Sequence, residues 1–143
     1  MRMRNIVKWN DKMAFTGSTP SGHEIYLDAS EEVGGENSGA RPTELLLQAV
    51  AGCTGIDIIS ILKKMRLNPS SFHIEIDGTR AEEHPKRFTG IEIHYALEGD
   101  LPEDKVVRAI RLSKDTYCSV SHSVNAEVSI SYSLNGKTGK EII

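Results

Sequence analysis

The feature that most constrains this chain is the run at positions 41–66, where Arg41-Pro42-Thr43-Glu44-Leu45-Leu46 leads into an apolar segment with Cys53 near its middle. Pro42 suits the first turn of a helix, where its missing N–H has no partner to lose, and Glu44 sets negative charge at the positive end of the helix dipole. Over positions 45–59 only Gln48, Thr54, Asp57 and two glycines interrupt the apolar residues, so no wide polar face opens until Ser60, Lys63 and Lys64. The spacing predicts a long helix, buried on most sides, that holds a thiol. A helix over positions 42–66 spans about 37 Å at about 1.5 Å per residue, longer than a small domain is wide. Its polar interruptions argue against a membrane span. The length implies that a second chain covers part of it.

The rest of the composition narrows the setting. A chain of 143 residues fits one domain, 1–143, with room for a sizeable core. Seventeen basic against twenty acidic residues give a net charge of −3, without the basic footprint that nucleic acid requires. The N-terminus is basic but leads into no apolar segment and no small-residue cleavage site, so no export signal is visible and a cytoplasmic location is expected. In such a compartment the two cysteines read as reactive or core thiols rather than as a structural staple.

Along the chain, short segments of strand character at 6–9, 13–16 and 24–28 make an antiparallel meander. Positions 29–40 are nearly free of apolar residues and read as a mobile, solvated connector leading to the helix. After the helix, 72–78 and 88–97 alternate with period two around a charged turn and predict a hairpin. Leu101-Pro102-Glu103-Asp104 opens an amphipathic helix whose Val106, Val107, Ile110 and Leu112 face a core. Small polar residues at 118–125 resemble capping chemistry for a further short helix or turn, and 126–134 alternates as a last strand. The order is β-β-β-α-β-β-α-(α)-β, an α+β fold.

Two familiar chemistries fall away. Gly136-Lys137-Thr138 lacks both the earlier glycine and the following helix of a phosphate loop, since position 131 is serine. His73, His84, His94 and His122 accompany the cysteines without any metal-ligand spacing, so no metal is expected. What remains is thiol chemistry, which needs a stabilised thiolate. Cys53 lies among Leu46, Ala49, Val50 and Ile56, an apolar setting that raises a thiol pKa. Cys118 lies near an expected helix start and near His122, where a thiol is more acidic. On these local grounds, two unrelated buried cysteines remain an open alternative.

The segment Arg-Pro-Thr-Glu-Leu-Leu-Leu-Gln-Ala-Val-Ala-Gly-Cys at 41–53, with Cys118-Ser-Val-Ser further on, resembles the OsmC/Ohr superfamily of osmotically inducible and organic hydroperoxide resistance proteins. The order of elements is similar along essentially the whole chain. The resemblance implies an OsmC-like fold: an intertwined homodimer in which antiparallel sheets wrap around long central helices, with the active site at the interface. It also implies that Cys53 attacks an organic hydroperoxide and becomes a sulfenic acid. Cys118 then resolves it as a disulfide, which a dithiol reductant such as a lipoyl group reopens, with no cofactor, in defence against oxidative stress. A sulfenic acid beside a resolving thiol is protected from further oxidation.

In the family an arginine from an N-terminal strand activates the first cysteine, and a glutamate ten residues ahead of that cysteine holds the arginine. Here that position is Thr43, and Glu44 stands one place later, about 100° around a helix. No arginine occurs between Trp9 and Asp28, which leaves Arg41, Arg4 or His23 as substitutes. The chain therefore looks like a divergent, YhfA-like branch. The candidate catalytic set is Cys53, Cys118 and Glu44, and the candidate binding residues are Arg41, His23 and Thr43. A rival reading is a dimer that binds a small apolar ligand, or senses redox state, with two cysteines kept from an ancestral peroxidase.

Overall fold

The computed structural model describes residues 1–142. They form two compact units, the first ending at Leu46 and the second beginning at Leu47. The expected α+β order is observed, with strands β1 (Ile6–Asp11), β2 (Ala14–Ser18) and β3 (Glu24–Leu27), helix α1 (Pro42–Lys64), strands β4 (Ser71–Arg80) and β5 (Phe88–Glu98), helix α2 (Glu103–Leu112), and strands β6 (Glu127–Leu134) and β7 (Lys137–Thr138).

In the N-terminal unit β1, β2 and β3 make the expected antiparallel meander. Trp9, Phe15, Ile25 and Tyr26 of this meander are all exposed. The connector after β3 differs from the expected mobile loop. Asp28 is buried and its carboxylate accepts the backbone N–H groups of Ala29 (2.7 Å), Glu36 (3.1 Å) and Ser38 (3.1 Å), together with the Ser38 hydroxyl (2.7 Å). A single ionised carboxylate thus satisfies polar backbone in a loop whose one large apolar residue, Val33, is exposed and does not anchor it. Gly39 completes the closure, because any side chain there would collide with the Tyr26 backbone.

Helix α1 begins as its sequence indicates. The Glu44 carboxylate reaches back to accept the Arg41 N–H at 2.8 Å, the reciprocal bond of a capping box. It ends two residues before the expected limit, because Arg66 turns into the left-handed region (φ 61°). Leu67 N–H then bonds Leu62 O and Arg66 N–H bonds Lys63 O, both at 2.9 Å. This is a Schellman termination, with Leu67 folded back against the core.

The C-terminal unit is a four-stranded sheet in the order β4-β5-β6-β7. The expected β4–β5 hairpin is present, with Phe72 opposite Leu97 and Ile76 opposite Ile93. β5 and β6 instead pair in parallel, Ile91 beside Val128 and Leu97 beside Leu134. Parallel neighbours need a crossover, and the segment through α2 supplies it. One alternating set on β5, Ile91, Ile93, Tyr95 and Leu97, is buried with Ile130 and Tyr132 of β6. Val50, Ile58 and Leu62 of α1 and Val106, Ala109 and Ile110 of α2 join the same core.

Helix α1 is therefore buried along one stripe rather than on most sides. Val50, Thr54, Ile58 and Leu62 recur every four residues and face the core. Gly55 completes that stripe, where a Cβ would stand 2.9 Å from the Ile74 side chain, so its absence lets helix and sheet approach closely. On the other side Ala49, Gly52 and Ile56 are exposed, Ile56 at 73%. By length and composition alone α1 is able to cross a membrane, yet its stripe is part of the core shared with β5, β6 and α2.

Candidate active site at a buried thiol pair

Two elements distant in sequence build the site. α1 carries Cys53 and Asp57 one turn apart on a single face, with buried Thr54 beside them. The other element is the end of α2, which widens into a π-helical turn at Ser113–Tyr117 closed by a Cys118 N–H bond to Ser113 O at 2.9 Å. This turn leaves Cys118 fully buried, whereas Cys53 is half-buried. Both are free thiols. The two sulfur atoms and a carboxylate oxygen of Asp57 all lie within 4.8 Å of one another.

Hydrogen bonds hold this arrangement. The Ser113 hydroxyl, 1% exposed, donates to Asp57 Oδ2 at 3.0 Å and so ties α1 to the turn that carries Cys118. The Ser121 backbone N–H points at Cys118 Sγ, 3.3 Å away, and the Val120 backbone N–H acts on the Cys53 thiol. Backbone dipoles of one short turn thus act on both sulfurs, the kind that favours a thiolate.

Burial is the main influence on Cys53 and pushes its thiol up, as its apolar sequence setting suggests. The Val120 N–H acts downward, and the neighbouring Cys118 and Asp57 push up again. Tyr95 projects from β5 into the same environment. Burial, opposed by the Thr54 hydroxyl and reinforced by Cys118, Asp57 and Cys53, pushes its phenol up to about 12. The site is therefore rich in groups that resist carrying negative charge together.

The other sequence candidates have local partners. Arg41 Nη1 donates to Asn37 Oδ1 (2.8 Å) and to Gly39 O (3.1 Å), and Glu44 caps α1. His23 Nδ1 pairs with the Ser21 hydroxyl at 3.0 Å, and Thr43 lies in the first turn of α1. These four belong to the N-terminal unit. His122, four residues after Cys118, turns its Nε2 to the Lys114 carbonyl at 2.9 Å rather than to a thiol. Cys118 is followed by a three-residue 3₁₀ turn, Ser121–Ser123, the short helix or turn expected there.

Sequence reasoning passed over Asp57, Ser113 and Tyr95. For Asp57 a signal existed: it is the lone acidic residue in the apolar run and stands four places after Cys53, on the same helical face. Nothing local marks Ser113 or Tyr95, which reach the site only through the packing of α2 and β5. The absence of ligand spacing argued against a metal, yet three donors from two elements, two thiols and a carboxylate, converge here.

Comparison with known proteins follows the same outline. Residues 35–133 match the family model described as OsmC-like protein. The chain is 37% identical to Protein YhfA of Escherichia coli strain K12 over 135 residues, 92% of this chain and 96% of that protein. Among solved structures, a hypothetical protein from Aquifex aeolicus VF5 shares 32% identity with a TM-score of 0.77, covering 94% of this chain and 98% of its own. An organic hydroperoxide resistance protein OsmC from Legionella pneumophila shares the fold at 18% identity and a TM-score of 0.70, covering 93% of this chain and 97% of its own.

Proposed function

Because the chain belongs to the OsmC-like family, we propose that it is a thiol-dependent peroxidase that reduces organic hydroperoxides in oxidative stress defence. The observation that carries this reading is the convergence of the Cys53 and Cys118 sulfurs within 4.8 Å. Cys53, as thiolate, attacks the terminal peroxide oxygen. The O–O bond breaks, and the departing alkoxide takes a proton to leave as the alcohol, with Cys53 as sulfenic acid. The Cys118 sulfur then attacks the Cys53 sulfur, expelling water and forming the disulfide. A dithiol of the lipoyl type reopens it through a mixed disulfide, becoming a cyclic disulfide itself and restoring both thiols.

Several features support the reading. Cys53 is the more accessible thiol and Cys118 the enclosed one, the order expected of attacking and resolving sulfurs. The Val120 and Ser121 N–H groups supply part of the stabilisation that the thiolates need. Glu44 remains the candidate catalytic carboxylate, and Arg41, His23 and Thr43 the candidate binding residues. We assign the exposed strip of Ala49, Gly52 and Ile56, with the uncovered meander, to a homodimer interface in a cytoplasmic protein. The test is thiol titration of the reduced protein before and after cumene hydroperoxide, then after a dithiol. Two thiols per chain are lost and then recovered, and Cys53→Ser abolishes peroxide consumption. Titration that never changes overturns the reading.

One observation favours a second reading. A groove of about 690 Å³ runs along α1 and β4, lined by Ile56, Ile59, Phe72 and Ile74, with Lys63 and His73 beside them. Such a groove suits a small apolar ligand in a binding or redox-sensing dimer. Thermal stabilisation by an apolar ligand, equal in Cys53→Ser and wild type and without peroxide turnover in either, would select it.

A further inference from the structure

We propose that Cys53, Asp57 and Cys118 bind a divalent cation of the zinc class, and that binding locks both thiols out of peroxide chemistry. The inference goes beyond peroxide reduction and does not require it, although the two share a thiol pair.

The geometry points to such a cation in two ways. First, the donor atoms lie within 4.8 Å of one another. Tetrahedral zinc with bonds of about 2.3 Å to sulfur and about 2.0–2.2 Å to oxygen separates its ligands by roughly 3.5–3.8 Å, so only small side-chain adjustments are needed. Two sulfurs and one oxygen also match the borderline-soft preference of zinc better than that of magnesium or calcium.

Second, the carboxylate is already held. The buried Ser113 hydroxyl donates to Asp57 Oδ2 at 3.0 Å, an arrangement that orients a ligating carboxylate from outside the coordination sphere. Asp57 and Cys53 share one face of a rigid helix, and the Cys118 backbone is fixed by its bond to Ser113 O. All three ligands thus come from packed elements rather than from mobile loops.

Binding displaces one proton from each thiol to solvent, engages both thiolates and the carboxylate, and leaves a fourth position for water. With both sulfurs engaged, neither the attack on peroxide nor the disulfide can proceed until the cation is removed.

The experiment uses the full-length, metal-stripped and reduced protein in the absence of oxygen. Cobalt(II) is the spectroscopic probe and zinc the affinity probe, the latter titrated against a chromophoric chelator. We expect one ion per chain, a thiolate-to-cobalt charge-transfer band with the strong visible bands of tetrahedral cobalt, and zinc protection of both thiols from alkylation. Asp57→Asn weakens zinc at least tenfold while keeping both thiols. Ser113→Ala, which keeps all three ligands, weakens it about 10–100-fold. Cys53→Ser removes half of the sulfur ligation and shrinks the charge-transfer band, and circular dichroism melts of each variant report folding. Absence of the band in wild-type protein at excess cobalt overturns the proposal. So does a zinc affinity unchanged in Asp57→Asn, which marks adventitious thiol binding only. Zinc binding without any peroxide consumption would leave this site standing and overturn the peroxidase reading, and peroxide consumption without zinc binding would do the reverse.

Discussion

Ser113 and Asp57, 56 positions apart in the chain, share a hydrogen bond of 3.0 Å that joins the end of α2 to the middle of α1. Because α1 holds Cys53 and Cys118 closes the turn that follows α2, this bond sets the spacing of the thiol pair. Ser113→Ala removes a charge-assisted bond worth about 1.5–3 kcal/mol when its acceptor is ionised. Urea denaturation is expected to show that loss, and disulfide formation after peroxide should slow. Unchanged stability and unchanged disulfide formation would show that packing alone sets the spacing.

Tyr95 gives an alkaline signature. Its folded phenol is raised from the ordinary 10.0 to about 12, and a raised value stabilises the fold below the unfolded pKa. The contribution is therefore complete below pH 10 and is lost as pH rises through about 12. Wild-type protein should unfold with base in that window, with tyrosinate absorbance appearing together with the loss of structure. Tyr95→Phe should blunt this dependence. An identical alkaline limb in Tyr95→Phe would remove Tyr95 as its source.

Asp28 predicts the opposite edge. Bonding by the Ser38 hydroxyl and backbone lowers its carboxyl from 3.8 to about 2. A depressed value stabilises the loop above the unfolded pKa, and that contribution is lost as pH falls through about 2. Exchange of the Glu36 and Ser38 amides should accelerate relative to the core strands over this interval. In Asp28→Ala it should already be fast at neutral pH. Slow exchange in that variant would show that the carboxylate does not hold the loop.

Ile56 tests the homodimer assignment. It stands 73% exposed in the middle of an apolar helix, where a partner's apolar surface would bury it. Ile56→Glu places a charge in that contact, so sedimentation velocity should show a dimer for wild type and monomer for the variant at equal concentration. A monomeric wild type, or a variant dimer of undiminished affinity, contradicts the assignment.

How far the sequence was legible follows from the range of the interactions. The start of α1 was readable because Pro42 and Glu44 act within one turn, and the β4–β5 hairpin because alternation carries its own register. The left-handed Arg66 was not, since the residue type that usually ends a helix this way is glycine. The parallel pairing of β6 with β5 depends on where α2 lies, which periodicity does not report. The pinned loop was hidden because Asp28 acts on backbone N–H groups whose positions carry no side-chain signal. At the site, both cysteines stood out as the only two thiols. That they meet depends on a π-helical turn and on Ser113, neither of which has a local pattern.

The most direct test of the central claim is peptide mapping of the protein after one equivalent of cumene hydroperoxide, without reduction of the digest. The account predicts that each chain loses two hydrogens, that a single linked species joins the Cys53 and Cys118 peptides, and that a lipoyl-type dithiol returns both to free thiols. Cys53 carried to sulfinic acid with Cys118 still reduced, or both thiols untouched, would contradict it.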